Sequence, residues 1–134
     1  MHASQRRLFS LLCLGFLGFL VVIVYLADTG QGQKYWAFLA KIPGGDKLGH
    51  FGLFGTLALL ADLATPHWRW RVPGSTLSLS IASLLVFAAA LMEEISQAWF
   101  PTRSFDLGDL AADALGITLA AVLARRIHKR HVKT

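Results

Sequence analysis

Residues 8–27 form a run of twenty residues without a charged side chain. An α-helix rises about 1.5 Å per residue, so this run is long enough to cross a hydrocarbon core of about 30 Å. The preceding Arg6 and Arg7 also resemble the start of a signal peptide, but residues 24–27 lack small residues at the usual cleavage spacing. The run therefore predicts a transmembrane helix, with a cleaved signal peptide as the alternative.

The composition is typical of one small membrane domain that covers residues 1–134. Of the 134 residues, 54% are hydrophobic and 16% are charged, which is too apolar for a soluble domain of this length. Cys13 is the single cysteine, which excludes a disulfide framework and a cysteine-based metal site. The formal charge is +5, but the basic residues flank hydrophobic runs, so we predict no nucleic-acid partner.

Three further apolar runs predict three more transmembrane helices. They cover about residues 48–64, 76–100 and 109–127. Gly49, Gly52 and Gly55 lie along one ridge of the first of these helices, where small residues let helix backbones approach closely. The predicted fold class is an all-α membrane protein with four transmembrane helices in a compact bundle.

Two polar features of these helices have structural interpretations. Asp62, near the end of the second helix, is expected to extend toward the interface or to pair with Arg69 or Arg71. Ser78, Ser80 and Ser83, early in the third predicted helix, are expected to form hydrogen bonds with a neighbouring helix or with their own backbone.

The distribution of basic residues predicts the orientation in the membrane. With four spans, both termini and the turn at residues 65–75 share one side, and that side holds nine of the thirteen Lys and Arg residues. The positive-inside rule places this side in the cytoplasm. We therefore predict a multi-pass protein of the cytoplasmic (inner) membrane, with the lipid bilayer as partner, both termini cytoplasmic and the oligomeric state left open.

Polar residues that are unusual in membrane helices concentrate at the other, outward-facing side. The candidate ligand-binding residues are Asp46, Lys47, His50, Glu94, Gln97, Arg103, Asp106, Asp109 and Asp113. A charge at the centre of a span costs about 2.5–3.5 kcal/mol on insertion scales, so these acids are expected to be paired, protonated or bound to a cation. Such a cluster suits general acid and base chemistry, for which the candidates are Glu94, His50 and Asp109.

Several of these residues also have structural interpretations. Asp46 and Asp109 each lie where a helix is predicted to begin, where a carboxylate caps free backbone amides. Lys47 either binds a phosphate or extends to the interface. His50 is a proton shuttle, a metal ligand or a hydrogen-bonded core histidine.

Two further candidates differ in the partners that the sequence predicts. Glu94 and Gln97 are three residues apart on one helix face and are expected to point inward, whereas Glu93 is expected to point sideways. Arg103 is either the counter-ion of Glu94 and Asp106 or a bidentate anchor for a phosphate or carboxylate ligand.

The order and spacing of these residues resemble the VanZ-like family of small bacterial membrane proteins, named for an accessory protein of teicoplanin (glycopeptide) resistance. The matching motifs are Asp46-Lys47-x-x-His50, Glu94-x-x-Gln97, Pro101-x-Arg103, Asp106, Asp109 and Gly116. The family often has an asparagine at the position of Asp113. The resemblance implies a membrane protein of the bacterial cell envelope, with antibiotic resistance as the role of the member that names the family.

Three hypotheses about function follow. The first is that the polar site binds an envelope lipid, a lipid-linked intermediate or an envelope-active molecule of the glycopeptide type. The second is a membrane-embedded enzyme that performs acid–base or metal-assisted hydrolysis or group transfer on a lipid-linked substrate. The third is a structural protein whose charge network fixes helix packing. We predict no metal or other resident cofactor, with a divalent cation as the alternative.

Overall fold

Four long helices and several short elements form the chain over residues 2–71, 73–74, 78–101 and 103–132, the parts that the computed structural model describes. The long helices are α1 (Ala3–Asp28), α3 (Gly45–Ala64), α4 (Ile81–Ser96) and α5 (Leu107–Val132). The short elements are helix α2 (Gln33–Trp36), two 3-10 turns (Leu39–Lys41 and Gln97–Trp99) and strands β1 (Arg69–Arg71) and β2 (Ser78–Ser80).

Helix α3 lies at the centre of the fold and contacts α1, α4 and α5. The buried hydrophobic cluster draws on all four long helices. Its members are Leu20, Phe54, Leu57, Ala58, Val86, Ala90, Ile117 and Ala120. The small side chains of Ala58 and Ala90 have no exposed surface, which indicates close approach of the helix backbones at these positions.

Contacts between helix ends show that α1, α3, α4 and α5 alternate in direction. At one end, Arg103 Nη1 lies 4.0 Å from Asp28 Oδ1, and Lys47 Nζ lies 3.0 Å from Asp109 Oδ1. Helices α1 and α4 therefore end where α3 and α5 begin. We call this the acidic end of the fold. It carries Asp28, Asp46, Glu93, Glu94, Asp106, Asp109 and Asp113.

The opposite end of the fold brings together the start of α1, the end of α3 and the end of α5. There, Arg6 Nη1 lies 3.2 Å from His67 Nε2, just after α3, and His128 Nε2 lies 3.3 Å from the carbonyl oxygen of Asp62. These contacts place both ends of the described chain on the side away from the acidic end.

Three helices in the described parts of the chain are long and apolar enough to cross a membrane, where the sequence predicted four. They are α1, α4 together with the 3-10 turn up to Trp99, and α5 as far as Lys129. Helix α3, the second predicted span, is not among them and contains Asp46, Lys47 and Asp62. Its contacts with α1, α4 and α5 cover part of its surface, including the buried Asp62.

The third predicted span, residues 76–100, is shorter in the structure, where a pair of three-residue strands accompanies the helices of an otherwise all-α fold. Residues 78–80 form β2, which pairs antiparallel with β1 and places Ser80 opposite Arg69. Helix α4 begins at Ile81 because Ser80 Oγ accepts a hydrogen bond from the Ser83 backbone N–H at 3.3 Å, as an N-cap residue does. The predicted start at residue 76 lies outside the described residues.

The other three predicted spans each lie within one helix of the structure, but the helices begin and end at different residues. Residues 8–27 lie inside α1, residues 48–64 inside α3 and residues 109–127 inside α5. The structure extends α3 back to Gly45 because Gly44 adopts a left-handed conformation, with φ of 71°, and caps the helix there. The polar residues 45–47 therefore belong to the helix, which brings Lys47 onto its first turn.

The glycines of α3 have two different roles, so the predicted ridge of three packing glycines is wrong for two of them. A Cβ at Gly55 would lie 3.2 Å from the backbone of Gly116, and a Cβ at Gly116 would overlap the carbonyl oxygen of Phe51. Helices α3 and α5 therefore pack backbone to backbone. A Cβ at Gly49 or Gly52 would meet no described atom within 4 Å.

Candidate functional site

Lys47 connects the first turn of α3 to the start of α5. Its Nζ donates to Asp106 Oδ2 at 2.8 Å, to Asp109 Oδ1 at 3.0 Å and to Asp46 Oδ2 at 3.4 Å. The Asp106 Oδ1 atom accepts a hydrogen bond from the Gly108 N–H at 2.6 Å, so Asp106 acts as the cap of α5. The capping role that the sequence offered to Asp109 therefore belongs to Asp106.

The electrostatics of Asp106 follow from this position before α5. The ammonium group of Lys47 and, after it, the Gly108 N–H stabilise the ionised carboxylate, which lowers the pKa of Asp106 below its usual range. The side chain therefore stays negatively charged under the conditions in which Lys47 is positively charged. Both groups are partly exposed, so this ion pair positions the start of α5 more than it stabilises the fold.

His50 lies between two acids of α5. Its Nδ1 is placed to donate to Asp113 Oδ2 at 3.2 Å, and its Nε2 lies 3.9 Å from Asp109 Oδ2. Asp113 has no exposed surface, and its Oδ1 has no hydrogen-bond partner among the described residues. His50 therefore presents Nδ1 to Asp113 and Nε2 to Asp109.

Glu94 and Gln97 close the end of α4, and both are buried, at 0% and 1% exposure. The Gln97 Nε2 group donates to Glu94 Oε2 at 3.0 Å and to both carboxylate oxygens of Glu93 at 3.0 Å. The backbone N–H of Asp106 donates to Glu94 Oε1 at 2.5 Å. The expectation that Glu94 points inward is confirmed, and Glu93 is partly exposed.

Arg103 contacts α4 and α1, and its predicted counter-ions are wrong. Its Nη2 donates to Glu93 Oε1 at 3.3 Å, and its Nη1 lies 4.0 Å from Asp28 Oδ1. In the described parts of the chain no ion pair joins it to Glu94 or Asp106, because their carboxylates accept hydrogen bonds from other groups. Sequence reasoning missed Asp28. The feature of the sequence that could have indicated a role for Asp28 is its position directly after the uncharged residues 8–27.

The nine predicted site residues form one connected network at the acidic end. One part joins Asp46, Lys47, His50, Asp106, Asp109 and Asp113 through α3 and α5, and the other joins Glu94, Gln97 and Arg103 through Glu93. Asp106 connects the two parts, since its side chain accepts from Lys47 and its backbone N–H donates to Glu94. Residues from four segments of the chain therefore meet here.

A cavity of about 1040 Å³ opens beside this network. Polar groups line one part of it: Asp46, His50, Gln97, Arg103, Ser104 and Asp109. Apolar side chains from α1, the segment between α1 and α3, and α3 line the rest, including Phe16, Ile23, Trp36, Ile42 and Leu53. Gly49 and Gly52 also line the cavity, which explains why a Cβ at either position would meet open space.

Comparison with known families agrees with this arrangement. The family model described as VanZ/LLP1 matches residues 4–128. The chain belongs to the VanZ/LLP1 family. The match covers most of all four long helices and confirms the resemblance that the polar motifs of the acidic end indicated. Neither the search of curated proteins nor the search of solved structures found a match.

Family membership and helix composition together make this chain a membrane protein of the VanZ type. The matched residues include the whole acidic end, so the network and the cavity lie within the part that the family model covers.

This VanZ/LLP1 chain has a second buried polar cluster at the opposite end, which sequence reasoning missed. Asp62 is 1% exposed and accepts hydrogen bonds from Ser80 Oγ and, at 3.1 Å, from Ser83 Oγ. The expectation that Asp62 extends to the interface or pairs with Arg69 or Arg71 is wrong. The two serines meet the carboxylate because α4 begins beside the end of α3, so the expected interhelical role is confirmed for Ser80 and Ser83, whereas Ser78 lies in β2.

Removal of the Asp62 carboxylate is expected to destabilise the fold, although Asp62 lies far from the acidic end. An Asp62→Ala substitution leaves the hydroxyl groups of Ser80 and Ser83 unpaired and is expected to lower the free energy of unfolding by about 1–3 kcal/mol. Thermal unfolding in detergent measures the change. Asp46→Ala is the control, because the side chain of Asp46 is 61% exposed. Equal melting temperatures for the two variants would contradict a structural role of Asp62.

Proposed function

We propose that this VanZ/LLP1 protein binds an amphipathic molecule of the bacterial cell envelope, a lipid or lipid-linked intermediate, in the cavity at its acidic end. The protein crosses the cytoplasmic membrane four times, with α3 as the protein-covered fourth span and both termini in the cytoplasm. The number of Lys and Arg residues at the opposite end supports this orientation. The acidic end then opens on the outer side of the membrane.

The observation that carries this proposal is the continuity of the cavity with the polar network. Apolar walls from α1 and α3 suit a hydrocarbon chain, whereas Arg103 at the polar part suits an anionic head group. The same side chain already holds Glu93 at 3.3 Å, so its charge is positioned before a ligand arrives. An envelope-active glycopeptide that carries an apolar group has the same two-part chemistry and is the other ligand to test.

A charge network that served helix packing alone would not need an open cavity with two glycines in its wall. Gly49 and Gly52 have no packing partner among the described residues, yet each places backbone against the open space. A side chain at either position would fill that space. The glycines therefore support a site that accommodates a ligand.

Filling the cavity tests this function directly. A Gly52→Leu substitution is expected to weaken binding of a polyprenyl phosphate or phosphatidylglycerol by about tenfold or more, because its side chain occupies the space for the hydrocarbon chain. Native mass spectrometry of the protein in detergent, with each lipid titrated, measures the affinity.

The control for this experiment is Gly18→Leu on α1, which adds the same side chain where a Cβ meets no described atom and no cavity wall. Its lipid affinity is expected to match that of the unsubstituted protein. Equal affinities for Gly52→Leu and Gly18→Leu, with both proteins folded, would contradict binding in this cavity. Binding of a glycopeptide in place of both lipids would identify the alternative ligand.

A further inference from the structure

Three side chains of the acidic end converge on one point from three different helices. His50 on α3, Glu94 on α4 and Asp109 on α5 each offer one ligand atom, and these atoms lie within 4.8 Å of one another. Glu94 and Asp109 are buried and His50 is largely buried. Imidazole nitrogen and carboxylate oxygen are ligands that divalent transition metals bind in proteins.

The spacing between His50 and Asp109 fits a shared ion better than a direct contact. The 3.9 Å between His50 Nε2 and Asp109 Oδ2 is too long for a hydrogen bond. Two ligands that each lie about 2.1 Å from one ion are about 3.4 Å apart at a tetrahedral angle and about 4.2 Å apart on opposite sides of the ion, so the observed separation lies between these two values. The two atoms therefore face each other across a gap of the right size.

The position of Asp113 beside His50 is a second observation in favour of a metal site. It has no exposed surface, its Oδ2 lies 3.2 Å from His50 Nδ1, and its Oδ1 has no partner among the described residues. A carboxylate on the far nitrogen is the arrangement that surrounds metal-bound histidines, where it orients the ring and makes the other nitrogen a stronger ligand. Asp113 is fixed in this position although its burial is unfavourable for a charge.

The charge balance of the acidic end also favours a cation. Seven of the eight acids of the chain lie there. In the described residues, Lys47 and Arg103 form ion pairs with some of these acids. Lys47 approaches Asp109 through Oδ1 and leaves Oδ2 toward His50. Lys47 therefore already reaches one of the three groups, whereas the described contacts of the Glu94 carboxylate are hydrogen bonds from uncharged donors, and a divalent ion would neutralise this buried charge.

We propose that His50, Glu94 and Asp109 bind a divalent transition-metal ion, Zn²⁺ or Mn²⁺, and that Asp113 is a positioning residue for the imidazole. His50 and Asp109 also line the cavity, so the ion has an open side toward it. That open side can accept an oxygen atom of a phosphate or carboxylate. This inference does not depend on the proposed lipid ligand, since the three protein ligands are present without it.

Metal binding to the full chain in detergent tests the proposal. Chelator-treated protein is titrated with Zn²⁺ or Mn²⁺ alone, and bound metal is counted by elemental analysis after dialysis, with thermal unfolding as a second readout. We expect one ion per chain and a higher melting temperature with metal. His50→Gln is expected to abolish the bound ion. Asp113→Asn is expected to keep the stoichiometry and weaken affinity by about 10–100-fold.

The control variant is Asp46→Asn, because Asp46, Asp106 and Asp109 form a second group of carboxylates with close ligand atoms. Asp46→Asn is expected to bind the metal normally. The proposal is overturned if chelator-treated protein binds neither ion, if His50→Gln retains it, or if Asp46→Asn loses it as His50→Gln does. Melting temperatures of the metal-free variants identify any that fail to fold, and Asp113→Asn then decides through its affinity.

Discussion

A Gly116→Val substitution is expected to separate α5 from α3 and to lower the free energy of unfolding by about 3 kcal/mol. The reason is steric, because a Cβ at Gly116 would overlap the carbonyl oxygen of Phe51. That oxygen belongs to the backbone of α3 and cannot move away by a rotamer change. Valine has a better helix propensity than glycine, so the loss cannot come from the helix itself.

The matched variant is Gly52→Val, which makes the same change on a helix where a Cβ meets no described atom within 4 Å. It is expected to melt at or above the temperature of the unsubstituted protein. Thermal unfolding of both variants in the same detergent compares them. If Gly116→Val melted together with Gly52→Val, the close contact between α3 and α5 would not be present in the folded protein.

Replacement of Arg103 by glutamine is expected to weaken binding of a lipid with an anionic head group by about 10–100-fold. Hydrogen bonds to charged groups contribute about 1.5–3 kcal/mol, and the loss corresponds to this range. Arg103 is mostly buried, lines the cavity and is positioned by Glu93. Binding of a neutral diacylglycerol is expected to change little, because the apolar walls remain. Native mass spectrometry with both lipids measures this difference.

Two controls separate a ligand contact from a structural effect of Arg103. Arg71→Gln removes the same charge from the opposite end and is expected to leave affinity unchanged. Arg103→Gln combined with Glu93→Gln removes the carboxylate that would otherwise lose its partner at 3.3 Å. If the double substitution restored binding of the anionic lipid, Arg103 would act through Glu93 and not on the head group.

Local pattern in the sequence was enough to find the four long helices and the polar residues that meet at the acidic end. The uncharged residues 8–27 predict α1 because length and apolarity are properties of one segment, independent of its neighbours. The spacing of Lys47 and His50 places both on one side of α3, and the spacing of Glu94 and Gln97 does the same on α4. Alternation of helix direction then brings these groups to one end.

The sequence did not predict which side chains pair between different helices. Arg103 reaches Glu93 and Asp28 in place of Glu94 and Asp106, and Asp62 meets two serines in place of the nearby arginines. Each of these contacts depends on the rotation of one helix about its axis relative to another. Periodicity along a single helix carries no information on that rotation.

The sequence by itself determined that this chain is a bundle of apolar helices with most of its acids at one end and most of its Lys and Arg residues at the other, because burial of apolar segments and the cost of membrane charge act locally. Only the tertiary structure decided that Gly55 and Gly116 hold α3 against α5 while Gly49 and Gly52 border a cavity. The four glycines are chemically identical, and the backbone that another helix places beside each one distinguishes them.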